Sequence, residues 1–128
     1  MRFKLVEKRN PQAPAAPKKI YAVPFSLGRV NEAFLSGIIS ERASLTEGDV
    51  ASVVRNFLDE IPRWLRMGHS VHLEPLGSFR LSFGSEGADT EEEFQVGMIR
   101  NLKVLFTPGV RFKEMLKRTE FRKIDVNK

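Results

Sequence analysis

The apolar positions follow two periods that meet at Gly68. Val50, Val53, Val54, Phe57, Leu58, Ile61, Trp64 and Leu65 recur at three- and four-residue steps, with Arg55, Asp59, Glu60, Arg63 and Arg66 between them. That spacing predicts an amphipathic helix, one face built for burial and the other for water. Thr46 marks the start: its hydroxyl is placed to accept from the Asp49 amide while the Asp49 carboxylate reaches back to the Thr46 amide, a capping box with Asp where Glu or Gln is usual. Arg66, Met67 and Gly68 mark the stop, a cation in the last turn followed by a residue that takes left-handed geometry freely. Pro62 lies inside this span of about twenty-two residues. It removes one helical hydrogen bond, roughly 3 kcal/mol in an unadapted helix, and a kink rather than an end is expected there.

Beyond Gly68 the period drops to two. Val71 and Leu73 alternate with His72 and Glu74; after the corner Pro75-Leu76-Gly77-Ser78, Phe79, Leu81 and Phe83 alternate with Arg80 and Ser82. Two strands meeting at a tight corner are the natural reading. Phe3 and Leu5 alternating with Arg2 and Lys4 predict a strand over residues 1–7, and Tyr21, Val23 and Phe25 predict another that pairs with it. Pro11, Pro14 and Pro17 make residues 8–19 an extended, solvated connector, favoured over a partner-binding segment. A shorter helix is expected over residues 31–43, capped by Asn31, with Phe34, Leu35, Ile38 and Ile39 inward. Ala43-Ser44-Leu45 turns it back into a helical hairpin. A helix-turn-helix base reader is set aside: the second helix is long, its exposed face balances acids and bases, and no Asn, Gln or Arg cluster opens it.

At 128 residues the chain is one domain's worth, able by size scaling to bury about two-thirds of its unfolded surface. It has no cysteine, so disulfides and thiolate metal ligation are excluded, in keeping with a reducing cytoplasm. The first ten residues are too charged for a signal segment and no apolar run reaches membrane-spanning length, so a cytoplasmic protein with no membrane partner is expected. His69 and His72 have no third ligand at metal spacing, and Glu91, Glu92 and Glu93 are consecutive, which suits solvent rather than an acid/base pair. There is no phosphate loop or nucleophile elbow. No catalytic residue, metal, cofactor or small-molecule substrate is expected.

Charge is unevenly placed. The net +5 divides into +6 over residues 1–29, −7 over 30–99 and +6 over 100–128. The ends and middle either pair with each other, within a chain or across a dimer, or the basic ends form a polyanion-facing surface rewarded by counterion release.

The order of short helix, turn, long helix, Gly68, Val71-x-Leu73 and the Leu76-Gly77-Ser78-Phe79 corner resembles the bacterial histone-like HU and integration host factor family, whose corner reads GFGTF or similar. FTPGVRFKEML over residues 106–116 resembles that family's closing segment. The likeness covers about residues 31–118; the ends, FKLVEKRN, YAVPFSLGRV and EFRKI, resemble the HU-related branch of Bacteroides-type bacteria. The resemblance implies an α+β fold: an N-terminal helical hairpin, a small antiparallel sheet with a shortened arm, a short closing helix, and extra N- and C-terminal strands. One HU-like domain over 1–128 is expected, with a strand extension and Pro-rich loop at 1–29, the core at 30–118 and a tail at 119–128.

In that family a basic β-ribbon ends in R-N-P-x-T-G, whose proline wedges between base steps. Nothing like it occurs between Phe83 and Phe106, where residues 84–93 are polar and acidic. Arg9-Asn10-Pro11 lies outside the arm position. Residue-by-residue correspondence leaves Gly77 and Ser78 at the corner, Arg80, Arg100 and Lys103 at the ribbon base, and Arg111, Lys113 and Lys117 on the closing helix as DNA-binding candidates. Phe79, Leu81, Leu102 and Val104 would face the core beside Arg80 and Lys103. The implied function is nucleoid-associated, largely sequence-nonspecific binding of double-stranded DNA by a homodimer through phosphate contacts. The alternative keeps the dimer as a protein-interaction scaffold, the acidic segment having replaced the arm. Two helices and a small sheet carrying Trp64, Phe79, Leu81, Phe83, Leu102, Val104 and Phe106 have more apolar surface than a thin two-layer unit of this size should conceal alone, which points to a partner subunit.

Overall fold

The computed structural model describes residues 1–125. Among them the fold is α+β, with three α-helices and two three-stranded sheets. Chain order is β1 (Arg2–Lys8), β2 (Lys19–Pro24), α1 (Glu32–Arg42), α2 (Glu47–Arg66), β3 (Val71–Leu73), β4 (Gly77–Ser85), β5 (Ile99–Pro108), α3 (Val110–Arg118) and β6 (Arg122–Lys123). A 3-10 turn at Val96–Met98 precedes β5. Contacts group the chain into two compact units: residues 1–30 with Lys117 onward, and residues 31–116.

The first unit is the sheet β2-β1-β6. β1 and β2 are antiparallel from Phe3 opposite Pro24 to Lys8 opposite Lys19, and β6 lies parallel to β1 with Arg2 beside Arg122. The proline-rich connector is held by its own turns. The Asn10 side chain accepts from the Gln12 amide at 3.0 Å, and the amides of Ala13 and Ala16 donate to the carbonyls of Asn10 and Ala13 at 3.1 and 2.9 Å.

The second unit opens with the helical hairpin. Asn31 caps α1, its Oδ1 accepting from Phe34 N at 2.9 Å. At α2 the capping box forms in both directions: Asp49 N donates to Thr46 Oγ1 at 3.1 Å and Thr46 N to Asp49 Oδ2 at 3.3 Å. The helix runs through Pro62 without ending. It stops where Gly68 takes φ +96°; Gly68 N donates to Leu65 O and His69 N to Trp64 O, at 3.0 and 3.1 Å, the paired bonds of a Schellman cap. Glu32 and Arg55 join α1 to α2 at 3.4 Å. The sheet is β3-β4-β5, with Val71 opposite Phe79 and Leu73 opposite Gly77, and β4 antiparallel to β5 from Gly77 opposite Pro108 to Ser85 opposite Ile99.

The inward faces expected for α1, α2 and β5 are corrected in the single chain. Among the described residues only Val50 and Leu65 are buried hydrophobics. Phe34, Leu35 and Ile39 on α1 and Val53, Phe57, Leu58 and Trp64 on α2 are exposed, as are Leu102 and Val104 on β5, with Phe34 at 58% and Leu102 at 67%. Periodicity marks which face of a helix seeks cover but not whether the cover lies in the same chain. A small aromatic cluster packs the sheet against α3: Phe79 lies 4.9 Å from Phe106 by ring centroids, and Phe106, itself partly exposed, meets Phe112 edge-on at 5.8 Å.

Candidate functional site

Strand pairing decides which candidates share a surface, because directly opposed residues of an antiparallel pair point to the same face and alternate along each strand. One face of the β4–β5 ribbon carries Phe79, Leu81, Val104 and Phe106. The other carries Ser78 opposite Thr107, Arg80 opposite Leu105 and Ser82 opposite Lys103. Arg80 and Lys103 are therefore diagonal neighbours.

Arg100 and Lys103 are three apart and would fall on opposite faces of a regular strand. The register shifts between Ser82 and Gly84, so that Gly84 pairs with Arg100 and β5 holds one extra residue. Asn101 takes up the bulge at φ 60°, the left-handed region that Asn tolerates better than most side chains. The bulge returns Arg100 to the face of Arg80 and Lys103. From Ser78 to Gly84 this face runs about 20 Å, the rise of about six base pairs.

At the corner, Leu76 N donates to Leu73 O at 2.8 Å, and two amides bring the start of α3 against it: Gly109 N to Leu76 O at 2.8 Å and Arg111 N to Pro75 O at 3.3 Å. Gly77 is buried with φ +156°. A Cβ there would stand 2.5 Å from Thr107 O and 2.6 Å from the Phe106 ring, so only glycine lets β4 begin this close to β5. A shallow cleft of about 360 Å³ results, lined by His72, Glu74, Gly77, Ser78, Thr107 and Lys113 among others.

The fold thus brings Gly77, Ser78 and Lys113 to one cleft at the end of the ribbon face that holds Arg80, Lys103 and Arg100. Lys117 lies one turn beyond Lys113 on the same face of α3. Arg111 is set apart, since two residues turn an α-helix by about 200° and place it opposite Lys113. Arg100 is also not free: its guanidinium pairs with the Glu86 carboxylate, at the head of the acidic segment. Sequence reasoning missed Thr107, opposite Ser78, and that ion pair. The usable signal was Asn101 between two cations at odd spacing. The β4–β5 ladder ends at Ser85 opposite Ile99. Residues 86–95 are irregular apart from a bend at 89–90 and a turn at 91–93, where Glu93 N donates to Thr90 Oγ1 at 3.3 Å. Among the described residues no group of three or more His, Cys, Asp or Glu could hold a metal, and no helix is long and apolar enough to cross a membrane.

A family model described as an HU domain fused to wHTH, Ig, or Glycine-rich motif matches residues 1–123. The chain belongs to this HU-HIG family. Two of the solved structures that share its fold show the likeness. One is a Bacteroides vulgatus protein ascribed to DNA binding, with TM-score 0.61 and 13% identity over 96% of this chain and 48% of that one; the HU-HIG chain thus spans about half its length. The other is Anabaena HU crystallised with DNA, with TM-score 0.53 and 23% identity over 70% of this chain and 100% of that one. No curated protein matches.

Proposed function

We propose that this chain binds double-stranded DNA through the phosphate backbone with little sequence preference, as a homodimer acting architecturally in the nucleoid rather than as an enzyme. The observation that carries this reading is the ribbon face, where strand register and the corner align Lys113, Ser78, Arg80 and Lys103, with Arg100 brought to the same face by the β5 bulge but held by Glu86. Such a row neutralises phosphates and releases their counterions, and its hydroxyls and amides add contacts that fix register without reading bases. The HU-domain family and the DNA-bound Anabaena neighbour support it. A second copy would cover the apolar residues left open on α1, α2 and β5, and twofold symmetry would double the cationic row.

The same binding mode leaves out sharp bending by an inserted proline, because the paired ribbon stops at Ser85 and acids follow. The test is a variant carrying Arg80→Gln, Lys103→Gln and Lys113→Gln, titrated against several duplexes of unrelated sequence. Affinity should fall by a similar factor for all of them while the oligomeric state is kept. Unchanged affinity would remove this face from the site. Intact dimers of the unmodified chain that bind no duplex would favour the scaffold reading, with residues 86–93 facing a protein partner.

A further inference from the structure

The two units carry opposite net charge. Residues 1–30 and 117–128 hold twelve Lys and Arg against three acids, net +9, whereas residues 31–116 hold nine against thirteen, net −4. Much of the excess is gathered on one hairpin. Lys8 stands directly opposite Lys19 in the β1–β2 ladder. Arg9 and Lys18 follow immediately where the strands leave the sheet, and all four are exposed. Alternation puts Arg2 and Lys4 on the same face as Lys8, and Tyr21 with Lys19. Glu7, the acid of this hairpin, pairs with Ile20 and so points to the other face.

Like charges directly opposed across two strands destabilise a sheet, so this arrangement has no use in holding the hairpin together. A ligand that supplies closely spaced negative charge would relieve the repulsion. Hydrogen bonds of the Asn10 turn and the Ala13–Ala16 turn order the connector on its own backbone, so the cations at its neck are presented on a defined support.

We infer that the β1–β2 hairpin is a second DNA-binding surface, in which Lys4, Lys8, Arg9, Lys18 and Lys19 grip duplex phosphates independently of the β4–β5 ribbon face. It goes beyond the function proposed above and fails separately from it. The experiment compares the full chain with K8Q/R9Q/K18Q/K19Q, with R80Q/K103Q/K113Q, and with R42Q/R55Q/R63Q/R66Q as a control that removes the same charge from α1 and α2. Each is titrated with a labelled 30-base-pair mixed-sequence DNA duplex at several salt concentrations, with RNA duplex of the same sequence as competitor and circular dichroism to confirm folding.

The hairpin variant should lose at least tenfold in affinity at 0.1 M salt, with a log-log salt slope shallower by about 2–4, since each phosphate contact contributes about 0.9. The helix control should lose much less. Affinity and slope unchanged in the hairpin variant while the full chain binds would overturn the second surface and leave the ribbon reading standing. A loss no larger than the control's would do the same, reducing the effect to net charge. Loss in the hairpin variant with none in the ribbon variant would uphold the hairpin and remove the ribbon face. Stronger competition by RNA than by DNA would assign the hairpin to RNA and overturn it as a DNA surface. No duplex binding by the full chain at ~50 mM salt would overturn both.

Discussion

Replacing Glu86 by Gln removes the carboxylate that occupies Arg100 while leaving the ribbon's backbone pairing in place. The two side chains are 46% and 56% exposed, and an ion pair this open is worth about 0.2–1 kcal/mol. Stability should therefore fall by less than about 1 kcal/mol, a shift of no more than about 5 °C in Tm for a chain of this size. Binding should move the other way. A freed Arg100 offers one more phosphate contact, which steepens the log-log salt slope by about 0.9 and corresponds to an affinity gain of about eightfold at 0.1 M salt and about fifteenfold at 0.05 M. Fluorescence anisotropy of a labelled duplex measures both slope and affinity; thermal unfolding measures stability. If affinity stays the same or falls in E86Q and the slope does not change, Arg100 is not held back from DNA by Glu86.

Gly77→Ala should destabilise the second unit by about 2–4 kcal/mol in urea unfolding, combining overpacking against Thr107 and Phe106 with a side chain at positive φ; a loss under about 0.5 kcal/mol would show that β4 and β5 separate easily there. Thr46→Ala removes the acceptor of the Asp49 amide and should cost about 1 kcal/mol, read by the same unfolding curve. A chain whose apolar stripes are covered by a second copy should unfold at a temperature that rises with protein concentration. A concentration-independent Tm, with a monomer by sedimentation, would contradict the dimer.

The local elements were legible because their signals are local. Thr46 and Asp49 specify a cap through four consecutive residues, Gly68 specifies a stop, and the alternation about Gly77 specifies strands; each appears at its expected place. Pro62 was also readable, as a residue that the helix passes through. Burial was not legible in the same way. Phe34, Phe57, Leu102 and Val104 carry the pattern of core residues yet are exposed in one chain, because amphipathicity records a need for cover and says nothing of whose atoms provide it. The candidate site shows the same division. Its residue types and strand positions could be read, but whether Arg100 joins Arg80 depends on a one-residue register shift at Asn101, and its neutralisation by Glu86 depends on how the intervening loop folds back. Register and loop closure are long-range outcomes that spacing alone does not determine. The hairpin cations were visible as composition, but only pairing places Lys8 against Lys19.

The most direct measurement of the central claim is the salt dependence of duplex binding by the unmodified chain, made on two duplexes of equal length and unrelated sequence. Phosphate-backbone recognition predicts a straight log-log line for each, with the same slope and a magnitude that corresponds to several released counterions. Absence of binding at ~50 mM salt, or affinity that varies strongly with sequence and barely with salt, would contradict it.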